Sequence, residues 1–377
     1  MPSDVFFMDL TATSRENLPD KLGRLIQKAG IKKMLSPKDL TAVKIHFGEQ
    51  GNTAFIRPVF VRKILEIIKK TGAHPFLTDA NTLYVGTRSN AVSHITTAIK
   101  NGFAYSSMDN TPIVIADGLS GKSETRVPVN LKNCEMVYIG SEIMQADALV
   151  SVAHFKGHEL SGFGGTIKNV GMGSASRRGK LDQHSNVSPK IKRKTCIGCG
   201  ECAAHCPGEA IFLEDKKAYI TKEKCIGCAE CIVRCPTRSI NINWNQTIPV
   251  FMEKMVEYTC GVLKNKQDKT LFINFITDIA PKCDCLSYTE SPIVNNIGVV
   301  ASLDPVAVDQ ASVDLVNQQA GLPHTALKTG LAPGEDKFRG LYPDVDWSHQ
   351  LAYAEEIGLG TRDYKLVKLK TLAYKKS

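Results

Sequence analysis

Eight of the twelve cysteines stand in two copies of one spacing, and this repeat restricts the fold more than any other feature of the 377-residue chain. Cys196, Cys199, Cys202 and Cys206 run C-x2-C-x2-C-x3-C and are followed by Pro207. Cys225, Cys228, Cys231 and Cys235 repeat the spacing and are followed by Pro236. A tight loop presents three thiols before the chain leaves as a helix, so a fourth must come from elsewhere. The two halves are therefore expected to fold against each other.

This spacing is the bacterial two-cluster ferredoxin signature, in which the last cysteine of each run ligates the other cluster. It predicts one [4Fe-4S] cluster on Cys196, Cys199, Cys202 and Cys235, and a second on Cys225, Cys228, Cys231 and Cys206. Gly198 and Gly227 would let backbone N–H groups approach sulfur. Ile197, Ile211, Ile226, Ile232 and Ile240 would form an apolar jacket. Zinc also uses C-x2-C pairs, but it gives no reason for three-cysteine loops ending in Cys-Pro. With no ligand missing from either motif, the clusters are expected to relay electrons and not to bind substrate.

A chain of this length with 43% hydrophobic residues has room for about two or three domains and needs no disulfide staples. Cysteines crowded into one stretch of a long chain point to metal in a reducing cytoplasm, not to a secreted scaffold. Met1 to Leu10 carries Asp4 and Asp9 and lacks the pattern of a secretory signal. No apolar run approaches the roughly 20 residues that cross a bilayer, so no membrane span is expected. The formal charge of +9 owes much to Arg177, Arg178, Lys180, Lys190, Lys192, Arg193 and Lys194, which read together as a basic linker. That run lacks interleaved aromatic residues, and no nucleic-acid partner is expected.

Elsewhere strand and helix patterns alternate, which favours a mostly parallel sheet. Val5 to Met8, Ala42 to Phe47, Pro75 to Thr78, Ile113 to Ala116, Met136 to Ile139 and Ala148 to Val152 read as strands. Helices are expected around Leu18 to Ile26 and after Pro58. Gly162 to Lys194 reads as a loop and tether. Past the cysteine-rich stretch, which ends near Trp244, strands return at Leu271 to Ile276 and Val299 to Leu303, and Asp304 and Pro305 open a helix. The expected architecture is an α/β domain interrupted in sequence: 1–185 its first part, 186–246 a small α+β ferredoxin-like 2[4Fe-4S] insert, and 247–377 its second part.

The chain resembles the domain of unknown function 362 family, in the subgroup with an inserted bacterial-type 2[4Fe-4S] ferredoxin domain. The resemblance rests on Lys44-Ile45-His46-Phe47-Gly48-Glu49 with Gly51-Asn52, on Thr78-Asp79-Ala80-Asn81-Thr82-Leu83-Tyr84, and on His154-Phe155-Lys156-Gly157-His158. It continues in Gly162-Phe163-Gly164-Gly165 with Lys168-Asn169, in Cys283-Asp284-Cys285, and in Asp304-Pro305-Val306-Ala307-Val308-Asp309. The chain departs from the family at Ser174 and Ala175, where members favour Cys or Gly. The resemblance implies an architecture and no settled activity.

Candidate chemistry lies in these motifs. His46 and Glu49 follow a strand, as active-site residues do at the carboxyl end of an α/β sheet, or they hydrogen-bond a loop. His154 and His158 are four apart and would share a helical face for a metal or for catalysis, although Gly157 favours a loop in which they bond backbone. Gly164, Gly165 and Lys168, with Arg177 and Arg178, form either an anion nest or a crowded loop. The glycines match neither a P-loop nor a dinucleotide fingerprint. Cys283 and Cys285 point to one side of an extended chain, as a metal or redox pair or as two buried thiols. Cys134 and Cys260 are expected in the core. Taken together, the sequence predicts a cytoplasmic iron-sulfur oxidoreductase or electron-transfer protein, with an unidentified small-molecule substrate and a redox partner protein. Its alternative is a pure electron carrier whose large domain is a docking platform and whose basic linker steers an acidic partner.

Overall fold

The computed structural model describes residues 2–185, 188–241, 247–266 and 268–372. In chain order the first strands are β1 (Ser3–Asp9), β2 (Leu40–Ile45), β3 (His74–Asp79), β4 (Ile113–Ile115), β5 (Glu124–Pro128), β6 (Met136–Gly140), β7 (Ala148–His154), β8 (Lys156–His158) and β9 (Gly162–Gly164). Then come β10 (Lys190–Ile191), β11 (Ile211–Glu214), β12 (Lys217–Ile220), β13 (Ile240–Asn241), β14 (Thr270–Ile276), β15 (Gly298–Ser302) and β16 (Tyr364–Lys368).

Eight of them form one sheet in the order β16-β1-β15-β14-β7-β2-β3-β4. Within it β15 alone runs against its neighbours, and every other pairing is parallel. Strands buried on both faces lose the polar alternation of a surface strand, as the fully buried Leu271, Phe272 and Ile273 of β14 illustrate. Leu271, Ile273, Val43, Ile45, Val150 and Val152 pack on one face, against the helices Leu18–Lys28 and Pro58–Lys69. Phe272, Ile276, Ala42 and Leu149 pack on the other, against Ile248–Leu263 and Pro305–Asn317.

The helix ends follow local chemistry. Asn17 Oδ1 accepts from Asp20 N at 2.9 Å, and Pro58 opens its helix where a missing N–H costs nothing. Asp304 Oδ1 accepts from Val306 N at 2.8 Å and Ala307 N at 3.0 Å, as the Asp-Pro pair predicts.

From β2 the chain moves through β3 to β4, whereas from β7 it moves the other way to β14. The switch point between β2 and β7 opens a crevice at the carboxyl ends of both strands, the usual ligand position in such sheets.

Three expectations change here. Gly162 to Lys194 is not a loop and tether: it contains β9 and the helices Thr166–Ser174 and Arg177–His184, and Arg177 and Lys180 are buried. The helix starts because Asp309, itself buried, accepts from Thr166 N at 2.7 Å and Ile167 N at 2.9 Å. Met136 to Ile139 lies in a separate ribbon of β5 and β6, outside the central sheet. Residues 190–241 form two ribbons, β10 with β13 and β11 with β12, and the short helices Glu201–Ala204 and Glu230–Arg234, with no cluster-holding group that would make them a 2[4Fe-4S] insert. The fold shown is α/β with a largely parallel central sheet. Asn186, Gln246 and Trp244, where boundaries were expected, lie outside the described residues. Among the described residues no helix is long and apolar enough to cross a membrane.

Candidate functional site

A pocket of about 990 Å³ occupies the crevice at the carboxyl ends of the strands. Most residues lining it come from the carboxyl ends of β2, β3 and β7 and the segments that follow them and β14, with Arg238 and Phe251 added from elsewhere, and six of them are Lys or Arg against three Asp or Glu.

At its base, two buried carboxylates organise the cations. Asp79 ends β3 and meets Lys44 Nζ at 2.9 Å and Arg88 Nη1 at 3.4 Å. Burial opposes its charge, but Lys44 and His94 hold its pKa well below the usual carboxylate range. Glu49 accepts from Thr87 N at 2.8 Å and Arg88 Nε at 3.2 Å, and also bonds Thr87 Oγ1. Arg88 then donates to the Tyr84 hydroxyl at 2.8 Å, which donates to the Cys285 carbonyl at 3.0 Å. Glu49 therefore positions Arg88 rather than standing free as a base.

His46 lines the same wall. Gly48 N donates to its Nδ1 at 3.1 Å, which leaves the neutral ring's proton on Nε2. Burial and Arg88 push its pKa well down, so it is a neutral hydrogen-bond donor.

Across the switch point, His154 holds Asp284. Its Nδ1 lies 2.9 Å from both carboxylate oxygens of Asp284, and its Nε2 lies 2.8 Å from the Thr277 carbonyl. Lys156 Nζ reaches Asp284 at 3.1 Å and donates to the His154 carbonyl at 3.0 Å. Against burial, His154 and Lys156 keep Asp284 well below the ordinary carboxylate range. His158 does not join His154: it lies on β8, accepts from Leu160 N at 3.3 Å and meets Ser161 Oγ at 2.9 Å. Its ring stacks 6.2 Å from Phe251, whose other neighbour is His184 at 4.9 Å. Burial pushes His158 well below its ordinary pKa and takes His184 down to about 3. Neutral rings therefore line the pocket close to the buried cations Lys168, Lys156 and Lys180.

Cys283 and Cys285 of the 283–285 motif also line the pocket. Gly157 makes this possible, because a Cβ there would lie 2.1 Å from the Pro281 carbonyl oxygen. Lys168 Nζ lies 3.4 Å from Cys283 Sγ. The Cys285 hydrogen bond holds Cys283 well below the usual thiol pKa, with Lys168 and Lys156 adding to it against burial. Burial would discharge Lys168, but Cys283 and Cys285 raise its pKa instead.

Gly165 packs directly on the Asp309 carboxylate, 2.3 Å from where a Cβ would stand, and Gly164 lies against the Lys168 side chain. The first N–H groups of that helix therefore go to the protein's own Asp309, while Lys168 lines the pocket. Arg177 is drawn away, to Glu230 at 3.1 Å. Lys44, Asp79, Arg88, Lys156, Lys180 and Asp284 were not singled out in the sequence as site residues. Asp79, Lys156 and Asp284 stand inside the motifs, whereas Arg88 and Lys180 carry no local signal. Burial pushes Lys180 down to about 8. Cys134 is in the core as expected, and Cys260 is only partly buried.

The cysteine motifs end elsewhere. Cys196, Cys199, Cys202 and Cys235 line one small pocket, and Cys228 and Cys231 lie in electrostatic range of both Cys225 and Cys206. The residues present nevertheless do not fit iron-sulfur clusters. Among the described residues no group of three or more His, Cys, Asp or Glu side chains is placed to hold a metal ion. The space framed by the first set is about 10 Å³, roughly one water-sized probe. Burial pushes the Cys202, Cys228 and Cys231 thiols up, whereas hydrogen bonds from Thr237 and Ser239 bring Cys235 down against burial. Ala210 N and Ser239 N donate to Cys206 and Cys235 at 3.3 and 3.1 Å. Ile197 and Ile226 are exposed, so the apolar jacket reduces to Ile211, Ile232 and Ile240. The two expected [4Fe-4S] clusters are corrected on this ground. So are the electron relay, the iron-sulfur oxidoreductase, the carrier alternative and, because the two rings have separate partners, the shared metal of His154 and His158.

Fold and site together define an α/β protein with a buried, charge-lined pocket at the switch point of a largely parallel sheet. The chain belongs to the family described as Domain of unknown function (DUF362), whose model matches residues 41–314. The ferredoxin-bearing subgroup is not supported. No curated protein matches the chain. Two solved structures are similar in part. A protein from Thermotoga maritima is 9% identical with a TM-score of 0.36, over 68% of this chain and 50% of that one. The lactate racemase apoprotein from Thermoanaerobacterium thermosaccharolyticum is 12% identical with a TM-score of 0.33, over 73% and 51%. The chain spans about half the length of each, and likeness at this level says nothing about the site.

Proposed function

We propose that the carboxyl-edge pocket is the active site of an enzyme acting on a small anionic molecule, a carboxylate or phosphate. The observation that carries this reading is the position of Lys156, on β8, and Lys168, on the helix Thr166–Ser174, in a pocket of about 990 Å³. Buried ammonium groups strengthen attraction to an anion because little water screens them. Lys168 contacts the anion, and His46 donates a hydrogen bond through Nε2. Glu49 and His154 are positioning residues, acting through Arg88 and Asp284. His158 supplies a neutral wall for the uncharged body of the substrate. A cytoplasmic site of action accords with twelve cysteines that are all free thiols.

Calorimetric titration of the full chain with inorganic phosphate and with malonate tests the reading. Saturable binding of at least one is expected, weakened about tenfold or more in Lys168→Met, a loss of about 1.4 kcal/mol. Absence of binding by both, or equal binding by the variant at unchanged thermal stability, overturns it.

A further inference from the structure

The pocket holds a group that anion binding leaves unused. Lys168 Nζ donates to Cys283 Sγ at 3.4 Å, and both line the pocket. Cys285, two residues on, lines the same pocket, and Lys156 adds a second positive charge nearby, partly offset by Asp284, which it meets at 3.1 Å. The loop itself is fixed: Glu49 N donates to the Asp284 carbonyl at 3.1 Å, and Asn52 Nδ2 donates to the Leu286 carbonyl at 3.3 Å. A sulfur held 3.4 Å from an ammonium and open to a cavity is the surrounding of a reactive cysteine.

We infer that Cys283 is a catalytic nucleophile that attacks an electrophilic carbon borne by a small carboxylate, an inference that rests on the anion-pocket reading. With an aldehyde or ketone next to the carboxylate, the sulfur lone pair forms the C–S bond. The carbonyl π pair moves to oxygen, and that oxygen takes a proton from the Lys168 ammonium. The product is a thiohemiacetal or thiohemiketal, with no oxidant or reductant consumed. Return of the proton to Lys168 and cleavage of C–S restore the thiolate and the carbonyl.

Alkylation reads this directly, since S–C formation expels iodide from either iodoacetate or iodoacetamide. Full-length protein is treated with each reagent at pH 6 and pH 8, and fragment masses across Asp284 separate Cys283 from Cys285. Cys283 is expected to be the labelled residue, with a rate that changes less than about twofold between the two pH values, whereas an ordinary thiol slows about tenfold per pH unit below its pKa. Iodoacetate is expected to outpace iodoacetamide at Cys283, the reverse of an ordinary thiol, and Lys168→Met is expected to restore both the ordinary preference and the ordinary pH dependence. Label at Cys283 with flat pH dependence but preference for iodoacetamide upholds the nucleophile while the anion reading fails. Phosphate or malonate binding with Cys283 as slow as the buried Cys134 overturns the nucleophile and leaves the anion pocket standing. Cys283→Ser, checked for an unchanged thermal midpoint, is the blank for the label.

Discussion

Residues 190–241 and the carboxyl edge of the central sheet stand on different amounts of buried structure. The former has helices of four and five residues, a ribbon of two residues per strand, and a small core in which Leu83 and Leu181 of the main body join Ile211, Ile232 and Ile240. The latter hangs from strands whose residues are buried on both faces, so each side chain leaving a strand end starts from a fixed point. Where the scaffold is thick, charges are held against one another: Arg88 sits between Glu49 and Asp79, and Asp284 between His154 and Lys156. Where it is thin, several cysteines share a neighbourhood without forming a metal-holding group. A short sequence spacing brings residues near one another, but a rigid frame decides what they present.

Breaking the thick side should have the largest effect. Arg88→Met leaves Glu49 and Asp79 buried without their shared partner and should lower the unfolding free energy by about 3–5 kcal/mol in urea denaturation. A loss below about 1 kcal/mol would remove the contrast drawn here.

The joint between the two regions is the next test. Glu230 is buried and holds Arg177 at 3.1 Å and Arg234 at 2.8 Å, fastening the helix Glu230–Arg234 to the main body. Glu230→Gln should cost about 2 kcal/mol by leaving the buried Arg177 charge poorly matched. Limited proteolysis should accelerate within 190–241, while hydrogen exchange of β2, β7 and β14 stays unchanged. Equal acceleration in the sheet would mean that the two regions unfold as one.

The smallest effect concerns acid pH. Asp79 and Asp284 have folded pKa values held well below the ordinary carboxylate range by their cationic partners, so their contribution is complete above the unfolded value of about 4. As pH falls below that, the unfolded chain takes up protons first, and stability is lost as pH approaches the folded pKa values. Asp284→Asn should therefore make the acid limb of the stability curve shallower. Parallel limbs for variant and parent would show that Asp284 has no depressed pKa.

Much of the scaffold was legible. The pattern Val61, Ile64, Leu65 and Ile68 marked a helix, Asp304-Pro305 marked a capped start, and the apolar runs of β2, β7 and β14 marked buried strands. Gly162 to Lys194 misled because its glycines and basic residues are loop-formers by local preference. Asp309, more than a hundred residues away, binds the first N–H groups of a helix there, and burial of Arg177 by Glu230 turns a supposed solvated tether into packed structure. His46, Glu49, His154 and Lys168 were visible because they stand in motifs beside strand ends. Arg88 and Lys180 were not, since a lone basic residue in polar surroundings has no periodicity to reveal it.

By itself the sequence determined the α/β class, most sheet strands and the motifs that gather at one edge, because these follow from short-range periodicity, capping and turn chemistry. Tertiary structure alone decided which charges meet. His154 with Asp284, Arg88 with Glu49 and Lys168 with Cys283 are separated by 130, 39 and 115 residues, and only the strand order places them within bonding distance. It also decided that eight regularly spaced cysteines form no metal-holding group among the described residues, since coordination depends on where sulfur atoms point and not on how many residues lie between them.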